Sequence, residues 1–212
     1  MQITDIRRGK DGAEKYHLYV DGNYLLTVHE QVYYENHLAV GQTVTGSDLD
    51  HLQQQSEFIW AKSLALQHLS RRSMSAKQLR DKLRERVGED AAEMAVQRMA
   101  ELGYLDDADY AGRLARDMTR LRSYGPDRVR RELQARGIDK ELAALTVEEL
   151  DSEPQEAILG LLEGKLARLA QETFESDDPK DRNRLFGRLT RMGYGFDDIR
   201  QAWRLYCEEH EE

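Results

Sequence analysis

His29-Glu30 opens like the first half of a helical zinc-protease motif, which needs a second histidine one turn later on the same face. That position is Tyr33, and the next histidine, His37, falls on the wrong spacing. Gly193-Tyr194-Gly195 resembles part of a phosphate-cradling loop. No Lys-Ser/Thr pair follows it, however, and it comes after a helical pattern rather than a strand. The single cysteine, Cys207, can make neither an internal disulfide nor a cysteine zinc site, and it reads as an inert thiol. The six histidines are scattered. No set of matched acid, base and nucleophile emerges, so the expectation is a protein that is not an enzyme, with no metal and no cofactor.

Arginine is the residue type whose spacing carries a signal. Its planar guanidinium suits bidentate contact with phosphates and carboxylates. On a helix expected over 107–122, Tyr110, Leu114, Met118 and Leu121 fall within about 80° of one another at about 100° per residue, which predicts a buried stripe. Arg113, Arg116 and Arg120 cluster about 120° from that stripe, with Arg122 following, and Asp117 is the only acid between Arg113 and Arg122. A second row is Lys77, Arg80 and Arg84, preceded by Arg71 and Arg72, and a third group is Arg128, Arg130, Arg131 and Arg136. The plain alternative is solvated helix faces with local pairs such as Arg128 with Glu132, each worth only tenths of a kcal/mol. A one-sided row such as that on 107–122 suits phosphate or an acidic protein face.

The chain has 212 residues and a net charge of −9, which at face value argues against nucleic acid. Counting by region changes that. Residues 1–55 hold 4 bases and 8 acids, residues 56–140 hold 18 and 14, and residues 141–212 hold 9 and 18. The basic middle suits phosphate, while the acidic third region is expected to meet a basic protein surface or to project away. No apolar run approaches the ~18 residues needed to span a membrane, and no signal peptide is evident, so a soluble, cytoplasmic protein without a membrane partner is expected.

The elements that must position these arginines are of two kinds. Residues 1–46 look β-rich. KYHLYV (15–20) and YLLTV (24–28) flank Asp21-Gly22-Asn23, a hairpin turn, and Ile3 and Ile6 belong to a preceding strand ended by a turn at 9–12. A short helix is expected over 29–36 and an extended piece over 41–45. From Ser47, read as an N-cap with Asp50, the pattern is helical, with Leu49, Leu52, Trp60, Leu64 and Leu66 in register. An internal repeat follows. Leu79 and Leu83, Val129 and Leu133, and Leu185 and Leu189 each sit i,i+4 behind a start signal: Ser75 with Gln78, Gly125-Pro126, and Asp178-Pro179. Partner helices carry Met94/Met99/Leu102, Leu142/Leu145 and Ile199/Trp203/Tyr206. The expected fold is mainly α, with three tandem three-helix repeats in an elongated array after a small N-terminal β-rich segment. The boundaries are 1–46, 47–106, 107–152 and 153–212.

LSRRSMSAKQLRDKL (69–83), LGYLDDADYAGRL (102–114) and RSYGPDRVRRELQARGID (122–139) closely resemble the first two repeats of the RecX family, and LFGRLTRMGYGFDDI (185–199) resembles a third more loosely. Asp109 departs from the family pattern, and 172–181 reads as an acidic insert between the first and second helices of the third unit. The resemblance implies a regulator that lies along the groove of a RecA recombinase filament on single-stranded DNA and inhibits its ATPase and strand exchange. The basic residues named above, Arg136 apart, would then be the filament-facing set. Tyr104, Tyr110 and Tyr124 are read as core or turn packing, Gly103 and Gly137 as left-handed helix ends, and Trp60 and Trp203 as core anchors. The alternatives are a helical DNA-binding regulator acting directly on DNA, or an interaction scaffold with no nucleic acid. A base-reading helix normally mixes arginine with asparagine or glutamine, which no helix here does. A monomer is expected.

Overall fold

In a computed structural model of the protein, the structure describes residues 1–10, 14–150, 153–176 and 178–211. Half of the turn expected at 9–12, Asp11 and Gly12, lies outside them. The chain divides into two compact units, Met1–Asp106 and Asp107–Glu212.

The first unit begins with an antiparallel sheet of β1 (Ile3–Arg8), β2 (Lys15–Val20) and β3 (Asn23–His29) in that order. Asp21 (φ 48°) and Gly22 (φ 86°) make the two-residue turn between β2 and β3, with both residues on the left-handed side as the strand twist requires. Helix α1 (Glu30–Glu35) is capped by the His29 ring, whose Nδ1 accepts from the Gln31 amide at 3.0 Å. The long helix α2 (Gly46–Arg71) then crosses the sheet. Its cap is Thr45 with Asp48, two residues earlier than the Ser47–Asp50 pair read from sequence. Ile3 and Met1 hold the chain extended through Gln42 and Val44, so the helix starts as soon as that tether ends. Thr45 therefore takes the cap.

Helix α2 serves two cores. Leu49, Leu52 and Ile59 pack with Ile3, Leu18, Val28 and Val32 under the sheet. Ser56, fully buried, accepts from the His29 amide at 3.0 Å and donates to Leu52 O at 2.7 Å, which fastens β3 to the helix. One turn on, Ala61 and Ala65 join the core of α3 (Ala76–Arg84) and α4 (Glu89–Glu101) with Leu79, Leu83 and Met99. Small residues there let α4 approach α2 closely. Leu66 on α2, and Met94 and Leu102 on α4 and its end, face solvent instead of the expected core, and Trp60 is half-buried. Ser75 and Gln78 form the expected capping box of α3. Arg80 on α3 grips Glu93 on α4, its Nη2 donating to Oε1 at 2.9 Å, and this holds the Glu93 carboxyl below its ordinary value of 4.5.

The second unit holds α5 (Asp107–Arg122), α6 (Pro126–Ala135) and α7 (Lys140–Glu148), followed by α8 (Pro154–Glu163), α9 (Ala167–Ser176), α10 (Pro179–Met192) and α11 (Phe196–His210). The buried stripe of α5 is Ala111, Ala115 and Met118, rotated by about 70° from the predicted row. Tyr110 and Leu114 border it, and Leu121 is 74% exposed. Close packing on alanine rather than on the larger side chains turns the helix. Leu145 on α7 is likewise exposed, whereas Val129 and Leu133 are buried as their spacing predicted, with Ile138 buried beside them. In the last module α8 packs on α11 and α9 on α10, around Ile158, Leu162, Leu185, Leu189 and Ile199. Its first helix is interrupted at Gly164, so this module has four helices among the described residues. The described part of 172–181 is the end of α9 and the start of α10. Trp203 is half-buried and stacks on Tyr206 at 5.3 Å.

A backbone junction joins these two modules. The amides at the start of α6 donate to the carbonyls at the end of α10: Gly125 N to Met192 O at 2.8 Å, and Asp127 N to Gly193 O at 3.1 Å. These are the orphan groups of two helix ends satisfying one another, with the positive end of one dipole against the negative end of the other. Both glycines are needed for it. A Cβ on Gly125 would lie 2.5 Å from Gly193 O, and one on Gly193, at φ 96°, would lie 2.4 Å from Arg128.

Two outcomes follow. Gly193→Ala combines a steric clash with left-handed strain and lowers stability by roughly 2–5 kcal/mol in urea unfolding. Gly103→Ala, also left-handed at φ 74° but with open space around it, costs only about 1–2 kcal/mol. Equal losses would refute a steric role for the junction. The second concerns acid. Because Glu93 titrates lower when folded than when unfolded, its contribution is present above about pH 4.5 and is lost as pH falls through the folded value. Glu93→Gln should therefore flatten the fall of the melting temperature below about pH 5, and an unchanged acid limb would remove this pair from the account.

Candidate functional site

The cationic row of α5 lies opposite the helix's core face. Arg113, Arg116 and Arg120 are all exposed. Arg113 pairs with Asp109 at 2.9 Å, one turn earlier, and the Arg116 guanidinium lies back along Gly112. Arg116 and Arg120 make no ion pair with a described residue. The row survives because α5 buries alanines, which leaves the whole opposite side to charged groups.

At the end of α5 the chain turns through Ser123 (φ 55°) and Tyr124 into the junction. The Tyr124 ring lies beneath two guanidinium groups, Arg128 at 3.8 Å and Arg122 at 5.9 Å. Arg128 also donates to Arg191 O at 3.2 Å, so it spans the two modules instead of pairing with Glu132 as its spacing suggested. Glu132 pairs with Arg136. Tyr124 is therefore a turn residue, as expected, and it also orders two arginines. Tyr194, buried in the same corner, donates its hydroxyl to Ser123 O at 3.3 Å, and burial pushes its phenol upward. Lys165 Nζ donates to Ser123 Oγ at 3.0 Å.

Beside the junction runs a groove of about 570 Å³ lined by Asp127, Arg130, Arg131, Thr190, Arg191 and Tyr194. Arg130 pairs with Asp127 at 2.9 Å, and Arg131 Nε donates to Asp127 O at 3.2 Å. Three guanidinium groups against one carboxylate leave the groove positive. It continues into residues that counting by region had concealed. Helix α10 carries Lys180, Arg182, Arg184, Arg188 and Arg191 with Asp181 as its one acid. Arg184, Arg188 and Arg191 form an exposed i, i+4, i+7 row without an ion pair to any described residue. The third region is net acidic, as counted, yet α10 is a basic helix within it. Of that region's 18 acids only Asp181 lies on α10, and a count helix by helix would have exposed it.

The first unit's basic residues are less available. Arg80 and Arg84 are bound to Glu93 and Glu89 of α4, so the Lys77–Arg80–Arg84 row is largely neutralised across the α3–α4 packing. Arg71 and Arg72 end α2, exposed, and Lys77 is exposed on α3. Tyr104 is exposed rather than packed in the core, while Gly103 and Gly137 are left-handed as expected.

Among the described residues, no group of three or more histidine, cysteine, aspartate or glutamate side chains is placed to hold a metal ion. No helix is long and apolar enough to cross a membrane. What the second unit offers is a solvated, arginine-lined surface, chemically suited to phosphates or carboxylates.

Models of protein families match this chain in two places. Residues 61–99 match the first three-helix domain of RecX, and residues 106–146 match the second. The first match starts where α2 leaves the sheet's core for that of α3 and α4. The chain is 28% identical to a regulatory protein RecX of Clostridium botulinum over 203 residues, 95% of this chain and 94% of that one. It is also 28% identical to one of Listeria innocua over 156 residues, 73% of this chain and 58% of that one. A crystal structure of regulatory protein RecX superimposes with a TM-score of 0.66 at 22% identity, over 94% of this chain and 98% of the other. RecX from Lactobacillus salivarius gives 0.60 at 22% identity, over 70% of this chain and 95% of the other. A mainly helical chain of three-helix modules thus carries both matched RecX domains in order and aligns almost end to end with such a relative.

Proposed function

We propose that this chain is a non-enzymatic regulator that binds RecA assembled on single-stranded DNA and inhibits its ATPase and recombination activities, limiting filament growth or promoting disassembly. The observation that carries the reading is the α5 row, Arg113, Arg116 and Arg120, held opposite its helix's core in a chain of net charge −9. A protein this acidic gains little from naked DNA by charge alone. Local cationic rows on α5 and α10 fit phosphates already displayed by a filament, and protein contacts supply the rest of the affinity. Linked modules on one chain gain avidity from engaging neighbouring protomers together. The names of the relatives, which call them regulatory proteins, support regulation rather than catalysis. Such a regulator works as a monomer in the cytoplasm, where its target assembles.

The test is RecA ATP hydrolysis on single-stranded DNA, with increasing amounts of this protein. The parent slows hydrolysis. The triple variant Arg113→Gln, Arg116→Gln, Arg120→Gln inhibits less, with its logarithmic salt slope reduced by roughly 2, since each phosphate contact on a single strand contributes about 0.7. Its melting temperature stays near the parent's, because exposed pairs such as Arg113–Asp109 contribute little. Equal inhibition with an equal salt slope rejects the α5 row. No inhibition by the parent, combined with sequence-dependent binding to duplex DNA, replaces the reading with direct action on DNA.

A further inference from the structure

The solvated face of the N-terminal sheet carries a feature that core packing does not account for. Strand β2 buries Leu18 and Val20, so His17 and Tyr19 point the other way. On β3, Leu26 packs against the buried side, opposite Leu18. In a regular strand Tyr24, two residues before Leu26, would share that buried side. The register shifts between Leu18 and Tyr19, so that Tyr19 faces Tyr24 and Leu25 is the extra residue. That bulge turns Tyr24 outward, where it is 56% exposed.

Four groups come together there. Arg7 on β1 lies over the Tyr19 ring at 4.6 Å, held from the side by Asp5 at 2.7 Å. Tyr19 and Tyr24 meet edge to face at 5.9 Å, and His17 meets Tyr24 at 6.1 Å. Thr27 fixes both neighbours, with its Oγ1 2.8 Å from His17 Nδ1 and 3.0 Å from the Tyr24 hydroxyl. The rings are thus oriented by hydrogen bonds while Tyr24 stays open to solvent. The face carries a small cationic excess, since Asp5 pairs with Arg7 and leaves Lys15 as the spare base. Arg7 and Lys15 stand against Asp5, while the nearby acids are engaged elsewhere: Asp21 with the Gln2 amide, Glu30 with Arg8 and Glu14 toward His29.

We propose that this face, with Tyr19, Tyr24 and His17 beside Arg7, is a base-stacking platform for single-stranded nucleic acid. An open aromatic ring next to a guanidinium offers a base a π-face and its phosphate a cation. Bases in a duplex are already stacked on one another and have no free face to offer, so the occupant is a single strand. This site is separate from the arginine rows of the second unit and does not depend on the RecA reading, because its ligand is the nucleic acid alone.

The experiment uses the full chain and a labelled oligothymidylate of about twelve nucleotides, within the span of one small binding fold. Binding is followed by fluorescence anisotropy at low and at moderate salt. Tyr24→Leu, which keeps an apolar side chain in the strand, weakens binding about fivefold or more at moderate salt, the loss of one stacked base. Tyr24→Phe, which keeps the ring and drops the hydroxyl, binds within about twofold of the parent. Photo-crosslinking of the parent with a 5-iodouracil oligonucleotide places adducts within β2 and β3, and a duplex of the same sequence does not. The proposal is overturned if the parent does not bind the oligonucleotide, if Tyr24→Leu binds as the parent does, or if the adducts fall outside the sheet. A fall in affinity for Tyr24→Phe equal to that for Tyr24→Leu also overturns it, because the ring would then not be the contact. None of these results bears on inhibition of RecA, which the ATPase assay reads separately.

Discussion

Two helix ends that share one set of hydrogen bonds set the architecture of the second unit. The start of α6 and the end of α10 each leave amides or carbonyls that water or a side chain must otherwise satisfy. Here they satisfy each other through Gly125, Asp127, Met192 and Gly193, and the opposed dipole ends add to the attraction. Such an approach is possible only where neither residue has a Cβ. The arginine-lined groove is arranged around that contact. Arg128 bonds across it, Tyr124 props Arg128 from beneath, and Arg191 brings the α10 row to the groove beside Arg130 and Arg131.

The parts of this fold that could be read from sequence are those in which a local rule and the tertiary context agree. The pairs Leu79/Leu83, Val129/Leu133 and Leu185/Leu189 are each buried to within 1% of fully, because an i,i+4 pair behind a strong start signal has one face to give. The Asp21-Gly22 turn is as firm, since few residues accept its backbone. Other features depend on what packs opposite. Thr45 and Ser47 offer the same capping pattern, and a backbone tether to the first strand decides between them. The stripe of α5 moved because alanine permits a closer approach than the larger residues beside it. The interruption at Gly164 has no proline to announce it.

The candidate site was legible in its residues but not in its pairing. Spacing found the row on α5. It could not foresee that Glu93 and Glu89 reach from α4 to occupy Arg80 and Arg84, since those partners lie five and thirteen positions away along the chain. Nor could an average over seventy residues reveal α10, whose five bases are outnumbered by acids on the helices around it. Charge acts over a Debye length, about 8–10 Å at moderate salt, so the relevant count is the one made over a single helix face.

Helix α2 has a consequence for how the first unit comes apart. Its first half closes the sheet's core and its second half closes that of α3 and α4, with no break in its hydrogen-bonded ladder between Ile59 and Ala61. Fraying this helix from either end uncovers apolar surface in the adjoining core. The sheet and the first three-helix module therefore open as one cooperative element, with amide exchange along α2 slowest near Ser56, where the sheet is pinned to it. A load applied to the sheet is carried along a single rigid rod into the helices beyond it. The small N-terminal sheet is in this sense a handle on the first module.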